Sequence, residues 1–469
     1  MALRTADEYR TSLQDGRVMW YRGKRVDDVL SEPDLRVAVE HSAVDFEVGH
    51  DPAYRDLAVF SEGGEDFSAY YRIPRSTDDL LARMQLIETT TALGGTLISL
   101  KDVGTDALFA LQTVLRNEEL ERLMAFYNHC KANDLAVAVA QTDVKGDRSK
   151  APHEQDDPDL YVRVVDQSDE GIVVRGAKAH TSLTPNCNEI LVLPTRAMKA
   201  ADADWAVGFA IPPNTPGLKM YVSPYSAGSQ HPWEHPVSSQ HKMLETLTVF
   251  DDVFVPWERV FCFRQPELAG PIALAFVEYH RFTAISYKLP LLDALVGCAA
   301  EIARMNGVLG AGHIKDKLTR LVIYAETVRT ICEAAARRGQ IGADGFCRPD
   351  SATTNIAKYT FATGYHEAVR SVQDCAGGLL VTGPGGDDWD NPEIRAVLEK
   401  YLAAASPAAE RLAMMNLISD LTVRDFGGYH AVLAVHAEGS IEAEKMQILR
   451  AYQPNRAVGL ARKLAGLTD

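Results

Sequence analysis

A cluster of side-chain hydroxyls follows a run of alternating apolar residues near the middle of the chain. The sequence GIVVRGAKAHTSLTP places Thr181, Ser182 and Thr184 directly after a predicted strand, with His180 immediately before them. Hydroxyls donate and accept hydrogen bonds without adding charge, so they suit the edge of a planar heterocyclic cofactor. They are equally typical of a threonine-rich loop at the end of a hairpin. The chemistry of the cluster therefore depends on the elements that position it.

The cluster ends the second strand of a predicted β-hairpin. Residues 161–165 and 171–178 are rich in β-branched and aliphatic side chains, and a polar Asp-Glu-Gly turn joins them. Further strand-like runs, separated by turns rich in proline and glycine, cover residues 189–194, 205–211 and 247–254.

Helical periodicity dominates on both sides of these strands. Apolar residues recur every three or four positions at residues 78–91 and 106–132, and the pattern returns from residue 271 almost to the end. Helices, then strands, then helices form a segregated α+β arrangement. We predict an N-terminal helical domain at residues 1–134, a central β-domain at residues 135–264 and a C-terminal helical bundle at residues 265–469.

Composition and charge indicate a large globular protein. The chain has 469 residues, of which 46% are hydrophobic and 24% charged. Its formal net charge of −16 argues against nucleic acid or an anionic membrane as the main partner, because both require a basic surface. The first residues lack the apolar core of a signal peptide, and we predict no apolar run long enough to span a bilayer. A cytoplasmic location is the resulting expectation.

Several motifs that resemble metal or nucleotide-binding sites are better explained as ordinary loops, turns and helix ends. The seven cysteines are scattered and never spaced as CxxC, so they predict neither a disulfide framework nor a zinc site. GVLGAG at residues 307–312 lies within a helical pattern without a preceding strand, and GPGGDD at residues 383–388 lacks the lysine of a P-loop. HPWEH and the nearby His241 offer three histidines, but their spacing includes prolines. We predict no metal.

Five blocks of sequence point to a family. They are TADEYRTSLQDGRVMWYRGKRVDDV at residues 5–29, the segment at residues 142–184, VFDDVFVPWERVF at residues 249–261, EYHRF at residues 278–282 and QDCAGGLLVTGP at residues 373–384. In wording and in order they resemble the flavin-dependent family that contains 4-hydroxyphenylacetate 3-hydroxylase and 4-hydroxybutyryl-CoA dehydratase. The resemblance implies an acyl-CoA dehydrogenase-like fold with a β-barrel-like central domain, and FAD held between that domain and the C-terminal helices.

The resemblance also implies which residues contact FAD. In related proteins a segment from a glutamine to two glycines, usually of a neighbouring subunit, receives the ADP part, and the chain matches it at Gln373, Gly377 and Gly378. Glycine lets a backbone approach a diphosphate, although a helix that simply breaks at the two glycines is the alternative. Arg281 is a suitable partner for a phosphate or the ring. The predicted cofactor-binding residues are Thr142, Arg148, Thr181, Ser182, Arg281, Gln373, Gly377 and Gly378.

An iron–sulfur cluster distinguishes the dehydratase branch, which the chain resembles in the phrases TDVKGDR and GAKAH. Three cysteines and one histidine hold that cluster. Here Ile98 and Asp102 occupy two of the cysteine positions, before VGTDA, and Tyr287 occupies the third. Because the cluster needs thiolate ligands, we expect neither the cluster nor the radical dehydration of 4-hydroxybutyryl-CoA.

Other polar residues of that branch are retained. Glu245, His280 and Lys288 match its catalytic glutamate, its cluster histidine and a nearby lysine, and they are the predicted catalytic residues. Glu245 can act as a general base if an apolar wall raises its pKa, and a salt-bridged glutamate is the alternative. A second family glutamate is expected near residues 432–438, where Glu438 is a candidate but the alignment favours Leu433.

The phenol-binding arginine and tyrosine of the hydroxylase branch are not matched, since Val103 and Ala107 lie nearest to their places, so we expect a different substrate. We predict an FAD-dependent oxidoreductase, the oxygenase component of a two-component monooxygenase that uses O2 to hydroxylate an aromatic or heteroaromatic compound. The lack of an NAD-binding motif fits a separate flavin reductase as the source of reduced FAD.

Two alternatives to the monooxygenase remain open. One is a cluster-free acyl-CoA isomerase, dehydratase-like enzyme or dehydrogenase that uses Glu245 as the α-proton base. The other is a catalytically idle flavin-binding subunit. In each case we expect a homo-oligomer, a tetramer or a dimer.

Overall fold

A computed structural model describes residues 3–225, 231–452 and 454–467. Helices dominate the first part of the chain. They are α1 (Ala6–Ser12), α2 (Pro33–Glu47), α3 (Arg55–Ala58), α4 (Thr77–Leu93), α5 (Lys101–Val114) and α6 (Asn117–Ala132). The single helical run predicted at residues 106–132 is two helices, because the chain leaves α5 at Leu115 and Asn117 has a φ of +50°.

The strands form two larger sheets and two short hairpins within the described residues. The six-stranded sheet has the order β2-β1-β10-β11-β7-β6, and the four-stranded sheet has the order β12-β9-β8-β5. The strands of the first are β1 (Met19–Tyr21), β2 (Lys24–Val26), β6 (Arg163–Gln167), β7 (Gly171–Lys178), β10 (Leu218–Val222) and β11 (Thr246–Pro256). Those of the second are β5 (Val137–Ala140), β8 (Glu189–Val192), β9 (Val207–Ile211) and β12 (Val260–Phe263). The hairpins are β3 (Val59–Glu62) with β4 (Glu65–Ser68), and β13 (Gln340–Ile341) with β14 (Cys347–Arg348).

The two larger sheets contact each other through buried aromatic side chains. Phe209 of β9 and Phe250 of β11 meet edge to face, with ring centroids 5.8 Å apart. The described strands remain two open sheets and do not close into a barrel, which differs from the predicted barrel-like domain. Two short strands from the first 30 residues extend one edge of the larger sheet, where β1 pairs in parallel with β10.

Helices make up most of the remaining chain. They are α7 (Pro266–Met305), α8 (Gly312–Arg337), α9 (Ser351–Ala376), α10 (Leu379–Thr382), α11 (Gly386–Asp390), α12 (Pro392–Tyr401), α13 (Ala408–Thr422), α14 (Asp425–His436), α15 (Ile441–Ala451) and α16 (Asn455–Leu464). The elements therefore follow the predicted order of helices, strands and helices. The bounds of the three domains themselves stay a prediction.

The helix α7 lies at the centre of the molecule. By length and composition it qualifies as a possible membrane span among the described residues, which the sequence did not predict. However, 78% of its most apolar window is buried inside the protein, as in the core helix of a soluble domain. We therefore interpret α7 as the central packing element of the helical part.

Candidate active site

Strand pairing brings Ser182 next to Glu245. The strands β7 and β11 run antiparallel, and the pairing continues past their ends, where the Thr181 and Leu183 amides donate to the carbonyls of Thr246 and Leu244. As a result the Ser182 hydroxyl donates to Glu245 Oε1 at 2.9 Å and lies 3.0 Å from Oε2. The predicted hydroxyl cluster thus contributes one hydroxyl to the predicted base.

A tyrosine that sequence reasoning missed completes this carboxylate site. The Tyr429 hydroxyl, from α14 of the C-terminal helices, donates to Glu245 Oε1 at 2.6 Å. Burial raises the pKa of Glu245, and the hydrogen bonds from Tyr429 and Ser182 oppose this effect only in part. A carboxyl with a raised pKa can exchange a proton closer to neutral pH than an exposed glutamate can.

Glu438 forms a second buried carboxylate site, directly after α14. Its Oε2 lies 2.9 Å from Lys288 Nζ and 3.4 Å from Lys358 Nζ, and the Tyr287 hydroxyl donates to its Oε1. Burial alone would raise the pKa of Glu438, but Lys288 and Lys358 together with the weaker effect of His280 lower it to about 2. Burial in turn lowers the pKa of Lys288 to about 8, against the attraction of Glu438. This ion pair is therefore present at neutral pH.

His280 faces a buried aspartate. Its Nδ1 lies 3.5 Å from Asp106 Oδ2, and among the described residues neither atom has a hydrogen-bond partner. The other Asp106 oxygen accepts from Arg83 at 2.7 Å and from Thr283 at 2.9 Å. The His280 ring stacks on Phe276, with centroids 4.9 Å apart. His280, Lys288 and Glu438 therefore interact electrostatically, since His280 and Lys288 both lower the pKa of Glu438.

The three positions matched to cluster cysteines hold no sulfur. Ile98 is buried, and its carbonyl lies 2.9 Å from His41 Nε2. Asp102 is fully buried, accepts from Ser99 at 3.0 Å, and has its pKa raised well above the ordinary value by burial and by the neighbouring Asp45. Tyr287 is bonded to Glu438. An aliphatic side chain, a carboxyl and a phenol do not fit the thiolate ligands of an iron–sulfur cluster.

Two of the residues predicted to contact the cofactor have side chains that form hydrogen bonds with other residues of the protein. The Thr181 hydroxyl is fully buried and bonds the hydroxyls of Thr246 and Thr248. Arg281 is 3% exposed, and its guanidinium donates to the Glu438 carbonyl at 2.9 Å and to Asn355 Oδ1 at 2.5 Å. Arg281 thereby holds the segment that carries Glu438 against α7 and α9, and its predicted contact with a phosphate or the flavin ring stays a prediction.

The remaining predicted cofactor contacts differ in exposure: three are half-buried (Thr142, Ser182 and Gln373) and three are exposed (Arg148, Gly377 and Gly378). The Thr142 carbonyl accepts from the Ala179 amide at 2.9 Å, and Arg148 is exposed in the loop that follows. Gln373 donates to the Thr422 carbonyl at 2.9 Å near the end of α9. Gly377 and Gly378 end that helix with exposed backbone, Gly377 having a φ of +87°, and no atom lies within 4 Å of a Cβ built on either.

The histidines considered for a metal have other partners. His231 lies 3.1 Å from an Asp390 carboxylate oxygen, and His235 lies 2.5 Å from an Arg424 nitrogen. His241 Nδ1 lies 3.3 Å from His41 Nδ1.

Comparison with known families accounts for nearly the whole chain. The family model described as 4-hydroxyphenylacetate 3-hydroxylase N terminal matches residues 5–262, and the model described as 4-hydroxyphenylacetate 3-hydroxylase C terminal matches residues 269–466. The chain belongs to the 4-hydroxyphenylacetate 3-hydroxylase family. This confirms the predicted family.

Relatives of both branches match the chain at similar identity. It is 31% identical to 4-hydroxybutyryl-CoA dehydratase/vinylacetyl-CoA-Delta-isomerase of Clostridium aminobutyricum, over 99% of this chain and all of that protein. It is 30% identical to the 4-hydroxyphenylacetate 3-monooxygenase oxygenase component of Thermus thermophilus, over 90% of this chain and 89% of that protein. Since its family relatives are enzymes, the protein is an enzyme, and the alternative of an idle subunit falls away.

Solved structures agree with the 4-hydroxyphenylacetate 3-hydroxylase family. The oxygenase component of 4-hydroxyphenylacetate 3-monooxygenase complexed with FAD superposes with a TM-score of 0.92 at 28% identity, covering 98% of each chain. A glutaryl-coenzyme A dehydrogenase superposes with a TM-score of 0.54 at 14% identity over 96% of this chain and 94% of that one, which shows a shared fold alone. The acyl-CoA dehydrogenase-like fold expected from the sequence is thereby confirmed.

Proposed function

We propose that this protein is an FAD-dependent monooxygenase, the oxygenase component that receives reduced FAD from a separate reductase and hydroxylates an aromatic or heteroaromatic substrate. Family membership and the FAD complex of a full-length structural relative support this proposal. The observation that carries it is Glu245, a carboxyl with a raised pKa held by two hydroxyl donors. Hydroxylation of a phenol-like ring needs such a group, since removing the ring hydroxyl's proton makes the ring electron-rich.

The chain offers a place for the FAD diphosphate at the end of α9. Gly377 and Gly378 expose their backbone, and the space that a Cβ would fill is open. Backbone amides beside glycines can approach a diphosphate closely, so these residues fit the group, as does the exposed Arg148 by charge. When bound, reduced FAD would supply the activation of O2 and the transfer of one oxygen atom to the substrate.

The chain's own residues would manage the substrate's proton and charge. Glu245 would accept the proton of the substrate hydroxyl, and Oε2 is the better placed oxygen because Tyr429 donates to Oε1 whereas Ser182 is shared between the two oxygens. The ammonium of Lys288, beside Glu438, adds positive charge that stabilises a substrate anion. His280, oriented by Asp106 and Phe276, is the further candidate for a base.

The test supplies the protein with chemically reduced FAD and then with O2 and a panel of phenols and hydroxylated heteroaromatics. We expect a hydroxylated product for at least one compound. Glu245→Gln should retain FAD binding and lose product formation by about 10²-fold or more, the usual contribution of a general base. Ser149→Ala, at an exposed hydroxyl of the loop after Thr142, serves as the control. Flavin oxidation that yields only hydrogen peroxide with every compound would contradict the proposal.

A second candidate function is acyl-CoA chemistry without an iron–sulfur cluster. The end-to-end match to a dehydratase/isomerase favours it, and Glu245 would then remove the proton next to the thioester. Anaerobic mixing of the oxidised FAD form with short-chain acyl-CoA and hydroxyacyl-CoA compounds separates the two hypotheses. Loss of the oxidised flavin absorbance, or isomerised product without O2, would support acyl-CoA chemistry.

A further inference from the structure

The two donors that hold Glu245 come from different parts of the molecule. Ser182 follows strand β7, only one strand away from Glu245 itself. Tyr429 lies on α14, which belongs to the C-terminal helices and is 184 residues away in sequence. Whereas Ser182 contacts both carboxylate oxygens, the Tyr429 hydroxyl bonds Oε1 at 2.6 Å.

The Tyr429 ring is fixed by its surroundings. It stacks on Tyr225 with centroids 4.7 Å apart and an interplanar angle of 12°, and the Tyr225 hydroxyl donates to the Met243 carbonyl at 2.5 Å. Burial raises the pKa of Tyr429 well above its ordinary value, and the charge of Glu245 adds to this effect. Tyr429 therefore remains a hydroxyl donor over the whole working range of pH, in one orientation.

Within the described part of the chain, the side chains that donate to Glu245 are hydroxyls. Besides Ser182 and Tyr429, the phenols of Tyr225 and of Tyr287 on α7 lie within electrostatic range, and burial keeps both protonated. The lysine closest in sequence, Lys242, lies over the rings of Tyr225 and Tyr21. Because neutral donors surround the carboxyl, each hydrogen bond to its ionised form has a direct effect on its proton affinity.

We propose that Tyr429 is the positioning residue for Glu245: its hydroxyl fixes Oε1 as an acceptor, directs the exchangeable proton to Oε2, and sets the pH at which the carboxyl becomes a base. The proposal rests on the proposed role of Glu245 in proton transfer. It also means that the base is complete only when α14 is docked on the strand ends that carry Ser182 and Glu245. Tyr429 itself contacts no reacting atom.

Removing the Tyr429 hydroxyl should raise the pKa of Glu245 further, because the ionised form loses a donor while burial remains. In Tyr429→Phe the acidic limb of the activity–pH profile should therefore move to higher pH by roughly one unit or more. Turnover above the new limb should stay within a few-fold of the unaltered enzyme. Tyr225→Phe is the matched control, since it removes a hydroxyl that bonds a backbone carbonyl and leaves the limb in place.

A second measurement is independent of turnover. Infrared difference spectra, recorded as a function of pH, report the carbonyl band of a protonated carboxyl, and the Glu245 band is the one that Glu245→Gln removes. We expect that band to persist to higher pH in Tyr429→Phe than in the unaltered protein and in Tyr225→Phe. An unchanged band midpoint in Tyr429→Phe would overturn the positioning role, even if the enzyme is active. A shifted band without monooxygenase activity would instead uphold the positioning role and count against the proposed function.

Discussion

Two buried glutamates of this protein have opposite environments. Glu245 is surrounded by hydroxyls, and burial raises its pKa. Glu438 lies between two lysines, and their charges outweigh its burial and lower its pKa to about 2. A carboxyl that can carry a proton near neutral pH suits acid–base chemistry, whereas one that stays ionised suits a fixed charge that orders its neighbours. We therefore propose that Glu245 transfers the proton and that Glu438 orders Lys288 and Tyr287.

Glu438→Gln tests this fixed charge. The substitution leaves the Lys288 ammonium buried without its carboxylate, whereas Lys358 keeps Glu444 at 3.0 Å. The loss of this one buried ion pair should cost about 3–5 kcal/mol of unfolding free energy at pH 7. Chemical denaturation measures the difference. Glu367→Gln, which removes an exposed ion pair with Arg370, is the control and should change stability little.

The effect of Glu438 should also depend on pH. Folding lowers the pKa of Glu438 from an ordinary value of about 4.3 to about 2. The ionised carboxylate therefore stabilises the fold above pH ~4.3, and this contribution is lost as the pH falls through 2. The stabilities of the unaltered protein and of Glu438→Gln should therefore converge on acidification. A constant difference from pH 7 to pH 2 would contradict the ionised state of Glu438.

At the scale of elements, α5 carries Asp102 and Asp106 and must lie close to strand β5. Gly104 makes this approach possible, because a Cβ at this position would lie 2.0 Å from the Val137 carbonyl oxygen. An ordinary side chain would push α5 away from the sheet, and with it Asp106, which faces His280. The glycine of the VGTDA motif is therefore explained by packing.

Gly104→Ala should destabilise the protein and reduce activity together, since the clash involves backbone that cannot rotate away. Thermal unfolding and turnover measure the two effects. Gly297→Ala is the matched control on the exposed side of α7, where no atom lies within 4 Å of the added Cβ. It should stabilise the protein by roughly 0.5–1 kcal/mol, as alanine does in a helix interior. Equal thermal stability and turnover of Gly104→Ala and Gly297→Ala would show that α5 can shift to accommodate the added Cβ.

At the scale of the whole molecule, the last helix lies at the surface with an apolar face uncovered. Its residues include no buried side chain, and the exposed fractions of Leu460 and Leu464 are 58% and 80%. The helix also carries Arg456, Arg462 and Lys463, whereas the chain as a whole has a net charge of −16. We propose that this apolar, basic helix contacts a second, acidic copy of the chain, and the homo-oligomer itself stays a prediction.

Leu460→Ser combined with Leu464→Ser should weaken self-association, because the pair removes apolar area from that face of the helix. Sedimentation velocity should show a smaller species or a higher dissociation constant. Lys463→Gln retains the apolar face and should lower the association much less. Unchanged sedimentation of the double leucine variant would place the oligomer contact elsewhere.

The sequence by itself determined the family, the order of helices and strands, and the hairpin that ends at Ser182. These features depend on local periodicity and on collinear motifs, both of which are present in one chain without reference to distant residues. The strand predicted at residues 171–178 has those bounds in β7. Glu245 was selected from its match to the dehydratase branch, and its catalytic role stays a prediction.

Tertiary structure alone decided how the site is completed. Tyr429 meets Glu245, and Glu438 meets Lys288, across more than 140 residues of sequence, so local pattern held no sign of either contact. The short strand β1 pairs with β10 over a similar separation, and its three residues are too few to show periodicity. Arg281 was predicted to contact a phosphate or the flavin ring because a guanidinium suits both, and the folded chain shows that it also holds the Glu438 carbonyl. Residue types limit what a side chain can do, and the partners that folding brings to it determine what it does.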